Sequence, residues 1–349
     1  MTKDRSMMNR HPVNEVNDLS MIGAVGPSQV LGPRGMGRLL IGGMILALAI
    51  LASHCRVHAD SPKLKAVVLD GQDLIALGGQ QVELVAKLEV EGFGLVPDGK
   101  IWRRDLKNKP VRFSFQGQTL GEAITDSDGQ AHFAWTPPGQ GDHEVFVRFE
   151  GDGNYAAKDG SLLVAVRDPS RKSVVLDIDH TICETDNWDL IRGTINSPPL
   201  PDAKDIVIRL TTEYDIIYVT ARLNKFQDVT RRWLDHYGFP RSPVYFLDIK
   251  KYPFYQEAKY KTYRIGKIKE MLPNVVIGVG DKKTDAQAYS ANGLRSIIIG
   301  DSGGVSGAEE VSGWLEIESL LFSIDEGRER APRFSVLHAD PMPLFSMLD

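Results

Sequence analysis

The chain has 349 residues, a formal net charge of -5 and an ordinary globular composition, 42% hydrophobic and 25% charged. Its length accommodates two domains beside a leader, and a mildly acidic balance with no sustained Lys/Arg stripe argues against a nucleic-acid surface. Its cysteines, Cys55 and Cys183, exclude a cysteine-built metal cluster and any Cys-x-x-Cys redox pair.

Residues 1–35 are polar and irregular, and an apolar stretch follows from Leu39 to Ala52. The stretch falls short of the roughly 20 residues that span a membrane. It suits the hydrophobic region of a signal peptide, with Arg34 and Arg38 as the basic flank. Val57-His58-Ala59 suits cleavage before Asp60, and initiation at Met36 would give a signal of ordinary length. The leader is therefore expected to cover 1–59 and to send the protein to the periplasm, envelope or exterior; an uncleaved N-terminal anchor is the alternative. Cleavage would remove Cys55 and leave Cys183, expected as a small buried hydrophobe rather than a reactive thiol.

From 60 to 168 the period is two. Val111-Phe113-Phe115, Ala131-Phe133-Trp135, Val145-Val147-Phe149 and Leu162-Val164-Val166 alternate with polar residues, and Gln81–Val90 adds an earlier strand. Turn signals at Asp126–Gly129, Pro137–Gly139 and Gly151–Asn154 punctuate them. Short strands so spaced predict an all-β sandwich. Asp126 and Asp128 are read as a hairpin turn in preference to a calcium site, because further oxygen ligands are not evident. His132 and His143 are read as structural or solvent-facing. Asn108–Phe113, Thr125–Phe133 and Gly153-Asn154-Tyr155 resemble bacterial immunoglobulin-like repeats of surface and secreted proteins. The resemblance implies a spacer or binding module, with cell-surface or membrane-surface contact as its expected use.

Asp168–Lys172 reads as a polar linker, and over 172–323 strands and helices alternate. The apolar run Val174–Leu176 predicts a buried parallel strand. It ends in Asp177, Asp179 and Thr181. Side chains two apart lie on one side of an extended backbone, and the carboxyl ends of such strands bind ligands. Two acids aimed together repel unless a cation intervenes. A second run, Ile216–Val219, ends in Thr220-Ala221-Arg222; Phe226, Val229 and Trp233 then mark a helix stopped by Gly238-Phe239-Pro240. Lys259 and Lys261 are expected just ahead of another helix, whose face is Ile265, Ile268 and Leu272. A third strand, Val275–Val279, runs into Gly280-Asp281 and a helix with Ala286 and Tyr289; Ser296–Ile299 is a fourth. This order predicts a doubly wound parallel α/β domain. Thr220 and Lys261 can each hold a phosphate oxygen. Asp177 and Asp281, from separate strand ends, can share a Mg²⁺ ion. Asp285 is open between metal ligand and helix cap.

Asp177-x-Asp179-x-Thr181, the strand-end Thr220, Lys261 and Gly280-Asp281-x-x-x-Asp285, in that order, resemble the haloacid dehalogenase superfamily. The second acid implies its phosphatase branch. By that resemblance Asp177 is the nucleophile and Asp179 the general acid and base. Thr220 and Lys261 bind the phosphoryl group, and Mg²⁺ is held by Asp177, Asp281 and the main-chain carbonyl of Asp179. A closer likeness is to the catalytic domain of lipin-type phosphatidate phosphatases, carried by Asp177–Ile182, Tyr218–Arg222, Asp228–Leu234 and Lys261 through Pro273. Two departures stand out: His180 occupies a position where lipins have Gly, and Asp281 one where they often have Asn. The implied function is a phosphomonoesterase acting on phosphatidate or another bulky ester. Nucleotide or sugar-phosphate hydrolysis, and a silent surface-binding protein, are the alternatives.

His180 is expected to pack its loop, with a leaving-group contact as the alternative. The insertions after Thr181 and Arg222 are too short for an independent cap. Trp188, Tyr252 and Tyr255 are candidates either to line the mouth or to pack the core. The tail, 324–349, shows no period and is expected to be irregular.

Overall fold

The computed structural model describes residues 63–91, 103–185, 189, 192–248 and 251–322. The leader, with its signal and Cys55, Trp188 and the tail lie outside the described residues. Among the described residues no helix is long and apolar enough to cross a membrane.

The N-terminal region is a sandwich of two β-sheets. In one, the long strand β3 (Val82–Val90) pairs antiparallel with β1 (Val67–Gly71), β4 (Arg104–Asp105) and β7 (Gln130–Trp135). The other runs β2 (Leu74–Leu77), β9 (Lys158–Arg167), β8 (Gly141–Phe149), β5 (Pro110–Phe115), β6 (Gln118–Ile124), antiparallel except between β2 and β9. The alternation in the sequence is the alternation of the core: Leu84, Val111, Phe113, Val145, Val147, Leu162 and Val164 are buried together between the sheets. In β9 the intervening Leu163 and Ala165 are buried too, as in a strand covered on both faces.

The Asp126 turn differs from expectation in one respect. It joins β6 to β7, which belong to different sheets, so it is an inter-sheet connection rather than a hairpin. Asp126 Oδ1 accepts the N–H groups of Asp128 and Gln130 at 2.9 Å each, which is an Asx turn and leaves calcium nothing to explain. His132 lies beside Glu83 and Asp126 on the exposed surface.

The C-terminal region is a six-stranded, wholly parallel sheet. Its order is β12 (Val244–Leu247), β11 (Asp215–Leu223), β10 (Ser173–Leu176), β13 (Val275–Gly280), β14 (Arg295–Ile299), β15 (Ala308–Val311). Val174 and Leu176 face one core with α1 (Ala203–Leu210), α2 (Gln227–Tyr237) and α5 (Trp314–Leu321). Val175 faces the opposite core with α3 (Glu257–Met271) and α4 (Lys283–Ala291). Helices thus cover both faces, and the chain leaves β10 for β11 on one side and returns as β13 on the other. That reversal opens the ligand crevice of a doubly wound sheet beside β10.

Three elements of this region differ from the sequence reading, one of them α5, which the sequence reading did not mark. Lys259 and Lys261 lie inside α3, which begins at Glu257 after the short 3-10 turn Phe254–Gln256. Lys261 occupies a core-facing position one turn before Ile265, and its charge hides the start of the apolar stripe. β15 went unforeseen because Ala-Glu-Glu-Val is a polar edge strand with one buried side chain, Val311. Residues 168–172, expected as a linker, are tied down: Arg171 donates to Asp215 and to the Thr211 carbonyl, and Asn274 donates to the Ser170 carbonyl. Strand β2 serves both regions, burying Ala76 in the sandwich and Ile75 in the α3/α4 core.

Candidate active site

Strand β10 is buried along its whole length, so the carboxylate that follows it is delivered into the interior. Asp177 is 1% exposed, and its N–H bonds the Val279 carbonyl of the neighbouring strand at 3.0 Å. Its Oδ2 lies 3.0 Å from Lys261 Nζ; its Oδ1 is buried with no hydrogen-bond partner. Lys261 is equally buried and also pairs with Asp285 and, at 3.2 Å, with Glu257. Asp281 follows β13, next to Asp177 across the sheet, and its Oδ1 is buried and unpartnered as well. Carboxylate oxygens of Asp177, Asp281 and Asp285 lie within 4.8 Å of one another.

Burial pushes the Asp177 carboxyl up to about 8, against the pull of Lys261 and with the repulsion of Asp285, Asp179 and Asp281. Burial likewise raises Asp281 to about 7, with Lys282 opposing and Asp285 adding to it. Three crowded carboxylates, two of them with an orphaned oxygen, face the ammonium groups of Lys261 and Lys282, and the raised pKa values of Asp177 and Asp281 mark negative charge that these leave uncompensated. Hard oxygen donors in that state fit Mg²⁺.

Asp285 caps the helix and also sits in the acidic cluster. Its Oδ2 accepts the Lys282 N–H at 3.1 Å and caps α4, while Oδ1 receives Lys261 and the same carboxylate belongs to the acidic cluster. Gly280 makes this approach feasible, since a Cβ there would lie 2.5 Å from the Asp285 Cβ. Thr220 is fully buried at the end region of β11; its hydroxyl oxygen accepts the Arg222 N–H at 3.1 Å, leaving the hydroxyl proton to donate.

The Asp179 carboxylate lies outside the acidic cluster. Its Oδ1 accepts Arg222 Nε at 2.9 Å, Arg222 Nη2 at 2.7 Å and the Thr185 hydroxyl at 2.6 Å. Burial alone would raise its pKa, but the charge and hydrogen bonds of Arg222, with Thr185, hold it below the ordinary carboxylate value. The positive neighbour of this acid is therefore a guanidinium, and any part Asp179 plays in metal binding falls to its main-chain carbonyl. Sequence reasoning noted Thr220-Ala221-Arg222 as a run yet gave Arg222 no task; Thr185 and Glu257 were also missed.

His180 is exposed, with φ +57°, and its N–H bonds the Cys183 carbonyl at 2.8 Å. It does not pack the loop. Its backbone sits in the left-handed region that glycine occupies without cost. Cys183 is a buried free thiol whose pKa burial raises, as expected of a small hydrophobe. Tyr252 packs against Tyr260 and Tyr263, whereas Tyr255 is 83% exposed.

Residues 174–299 match the family profile described as PITM 1-3, LNS2 domain, a lipin-type haloacid dehalogenase domain. No curated protein matches the chain. Among solved structures, the chain is similar to the class C acid phosphatase from Bacillus anthracis with tungstate bound, at 21% identity and a TM-score of 0.28, covering 33% of this chain and 53% of that one. It is also similar to D,D-heptose 1.7-bisphosphate phosphatase from B. bronchiseptica complexed with magnesium and phosphate, at 16% identity and a TM-score of 0.33, covering 43% and 97%. A third similarity is to the fibronectin(III)-like modules of Clostridium thermocellum CbhA, at 16% identity and a TM-score of 0.19, covering 29% and 96%.

Proposed function

We propose that the phosphatase-type domain is a Mg²⁺-dependent phosphomonoesterase that works through an aspartyl-phosphate on Asp177. The observation that carries this reading is a fully buried aspartate at the sheet's switch point, with one oxygen unpartnered and two further aspartates beside it. In the first half-reaction a carboxylate oxygen of Asp177 attacks phosphorus. The bond from phosphorus to the leaving oxygen breaks, and Asp179, which rests ionised and must first take up a proton on its free oxygen as the ester binds, delivers that proton to the leaving oxygen. In the second, water attacks the aspartyl-phosphate, Asp179 takes the water proton, and the bond from phosphorus to Asp177 breaks to release inorganic phosphate. Thr220 and Lys261 hold the phosphoryl oxygens as charge develops on them. Mg²⁺, held by Asp177, Asp281 and Asp285, would neutralise charge on the phosphate and its attacker.

The substrate we propose is a bulky ester such as phosphatidate, since the insertions after Thr181 and Arg222 are too short in sequence for an independent cap domain. Secretion is part of the same proposal and rests on the 36–59 signal: the mature chain should begin at Asp60, an exported chain that still carries residues ahead of Asp60 would sink cleavage, and native peptides from residues 9–30 would sink initiation at Met36.

The test is hydrolysis of a chromogenic aryl phosphate with Mg²⁺ by the wild type and by Asp177→Asn. Loss of about 10⁴-fold or more in the variant is expected for removal of a covalent nucleophile; equal rates would remove the mechanism. A panel of vesicle-borne phosphatidate, nucleotides and sugar phosphates then ranks substrates. Mg²⁺ binding without turnover of any of them would favour the silent binder.

A further inference from the structure

Asp179 is held in an unusual way. A guanidinium facing a carboxylate ordinarily engages both oxygens with two parallel hydrogen bonds. Here Arg222 Nε and Nη2 converge on one oxygen, Oδ1, and the Thr185 hydroxyl adds a third donor to the same atom. Every hydrogen bond that Asp179 accepts among the described residues ends on Oδ1. The Arg222 side chain is 2% exposed and that of Asp179 is 19% exposed, so the clamp is internal while the acid keeps an opening.

Arg222 is itself fixed from behind. Its Nη1 donates to the Thr230 hydroxyl on α2 at 3.1 Å, and Thr230 is fully buried. The adjoining face of α2 is anchored to the sandwich, where Gln227 Nε2 donates to the Gly71 carbonyl at 2.8 Å and Arg231 to Asp73 at 2.6 Å. The Arg222 N–H also bonds the hydroxyl oxygen of Thr220. One strand end thus sets both the phosphate-binding hydroxyl and the clamp on the second acid.

We propose that Arg222, assisted by Thr185, is the positioning residue that pins Oδ1 of Asp179 and so reserves the other oxygen for proton exchange with the leaving group. The inference rests on the phosphatase reading above. A lysine at 222 would keep the charge but offers a point donor in place of a planar fork, so it would not reproduce the convergent clamp.

The experiment compares kcat/KM of the wild type, Arg222→Lys, Thr185→Val and Asp179→Asn across phosphate esters graded from dinitrophenyl through 4-nitrophenyl and phenyl to alkyl. Melting temperatures are recorded alongside. A misplaced acid matters little when the leaving group departs unprotonated and greatly when it does not. Arg222→Lys is expected to lose about 3-fold on the dinitrophenyl ester and on the order of 10²-fold on phenyl and alkyl esters, within the range of general acid catalysis. Asp179→Asn should show the same slope more steeply, and Thr185→Val a shallower one of about 10-fold at the poor leaving groups. Losses by Arg222→Lys and Thr185→Val that are uniform along the series, beside a sloping Asp179→Asn, overturn the positioning role alone. A wild type inactive on every ester overturns the phosphatase reading and this inference with it. If Arg222→Lys fails to fold, the slope of Thr185→Val decides.

Discussion

Asp73 and Asp177 are both buried aspartates, and the molecule uses them in opposite ways. Asp73 follows β1, where the sandwich meets the α/β sheet. Its Oδ1 accepts the Leu163 N–H at 2.7 Å and Arg231 at 2.6 Å, and its Oδ2 accepts the Val244 N–H at 3.1 Å. Both oxygens are satisfied, Oδ1 by groups from both regions and Oδ2 by a group of the α/β domain. Asp177 has one oxygen against Lys261 and one against nothing. A buried carboxylate with both oxygens answered is a joint, costly to break and chemically quiet. A buried carboxylate left short of partners, among others of its sign, is poised for a ligand.

The largest expected effect separates the two directly. Asp177→Asn should abolish turnover while leaving the melting temperature unchanged or higher, because it relieves repulsion among the acids. Asp73→Ala should do the reverse. It orphans two N–H groups and a guanidinium contact, and should cost about 3 kcal/mol of stability while kcat per folded molecule falls far less than in Asp177→Asn. Denaturant melts and active-site-normalised rates check this. A stable Asp73→Ala or a strongly destabilised Asp177→Asn would dissolve the contrast.

A second effect sharpens it through pH. In the metal-free protein Asp177 and Asp281 titrate near 8 and 7 when folded, against 3.8 when unfolded. The folded state therefore binds more protons between those values, and stability must fall as pH rises through that window. Mg²⁺ removes the repulsion, so the rise in melting temperature on adding it should be larger at pH 8.5 than at pH 5.5. An equal rise at both, measured by scanning fluorimetry in EDTA and in Mg²⁺, would contradict the acidic cluster as the metal's seat.

Gly280→Ala tests the packing that brings Asp285 into that cluster. The added methyl would displace the Asp285 side chain, and the Mg²⁺ concentration for half-maximal activity should rise about 10-fold, as when a supporting group of a metal site is disturbed. Isothermal titration with Mg²⁺ reads it; an unchanged affinity would mean the site tolerates the shift. The smallest effect is at His180. Replacing it by Gly relieves a left-handed backbone and should stabilise by up to about 1 kcal/mol with activity unchanged. A loss of activity in His180→Gly would instead give the imidazole a contact with the leaving group.

Much of this was legible in the chain. The period of two in Val111–Phe115 and Val145–Phe149 marked the sandwich core, because one face of each strand is buried against the other sheet. The apolar run Val174–Leu176 ending in Asp177 marked the switch-point strand, because only a strand covered on both faces is apolar throughout. What escaped were residues whose type misdirects pattern reading. Lys261 in a core position broke the stripe of α3. Ala308–Val311 was too polar to be seen as a strand. Arg222 stood in plain view but without a partner, since Asp179 lies 43 residues away.

The sequence by itself determined the type of most elements, the order of the acids and the strand ends on which they fall, since these follow from local periodicity and from the directionality of parallel strands. Only the tertiary structure decided how the charges are distributed among partners. It gave Asp179 to Arg222, Asp285 to Lys261 and the α4 cap at once, and left Asp177 and Asp281 each with an open oxygen. Those pairings depend on side-chain reach across separate strands and helices, a quantity that spacing along the chain does not encode.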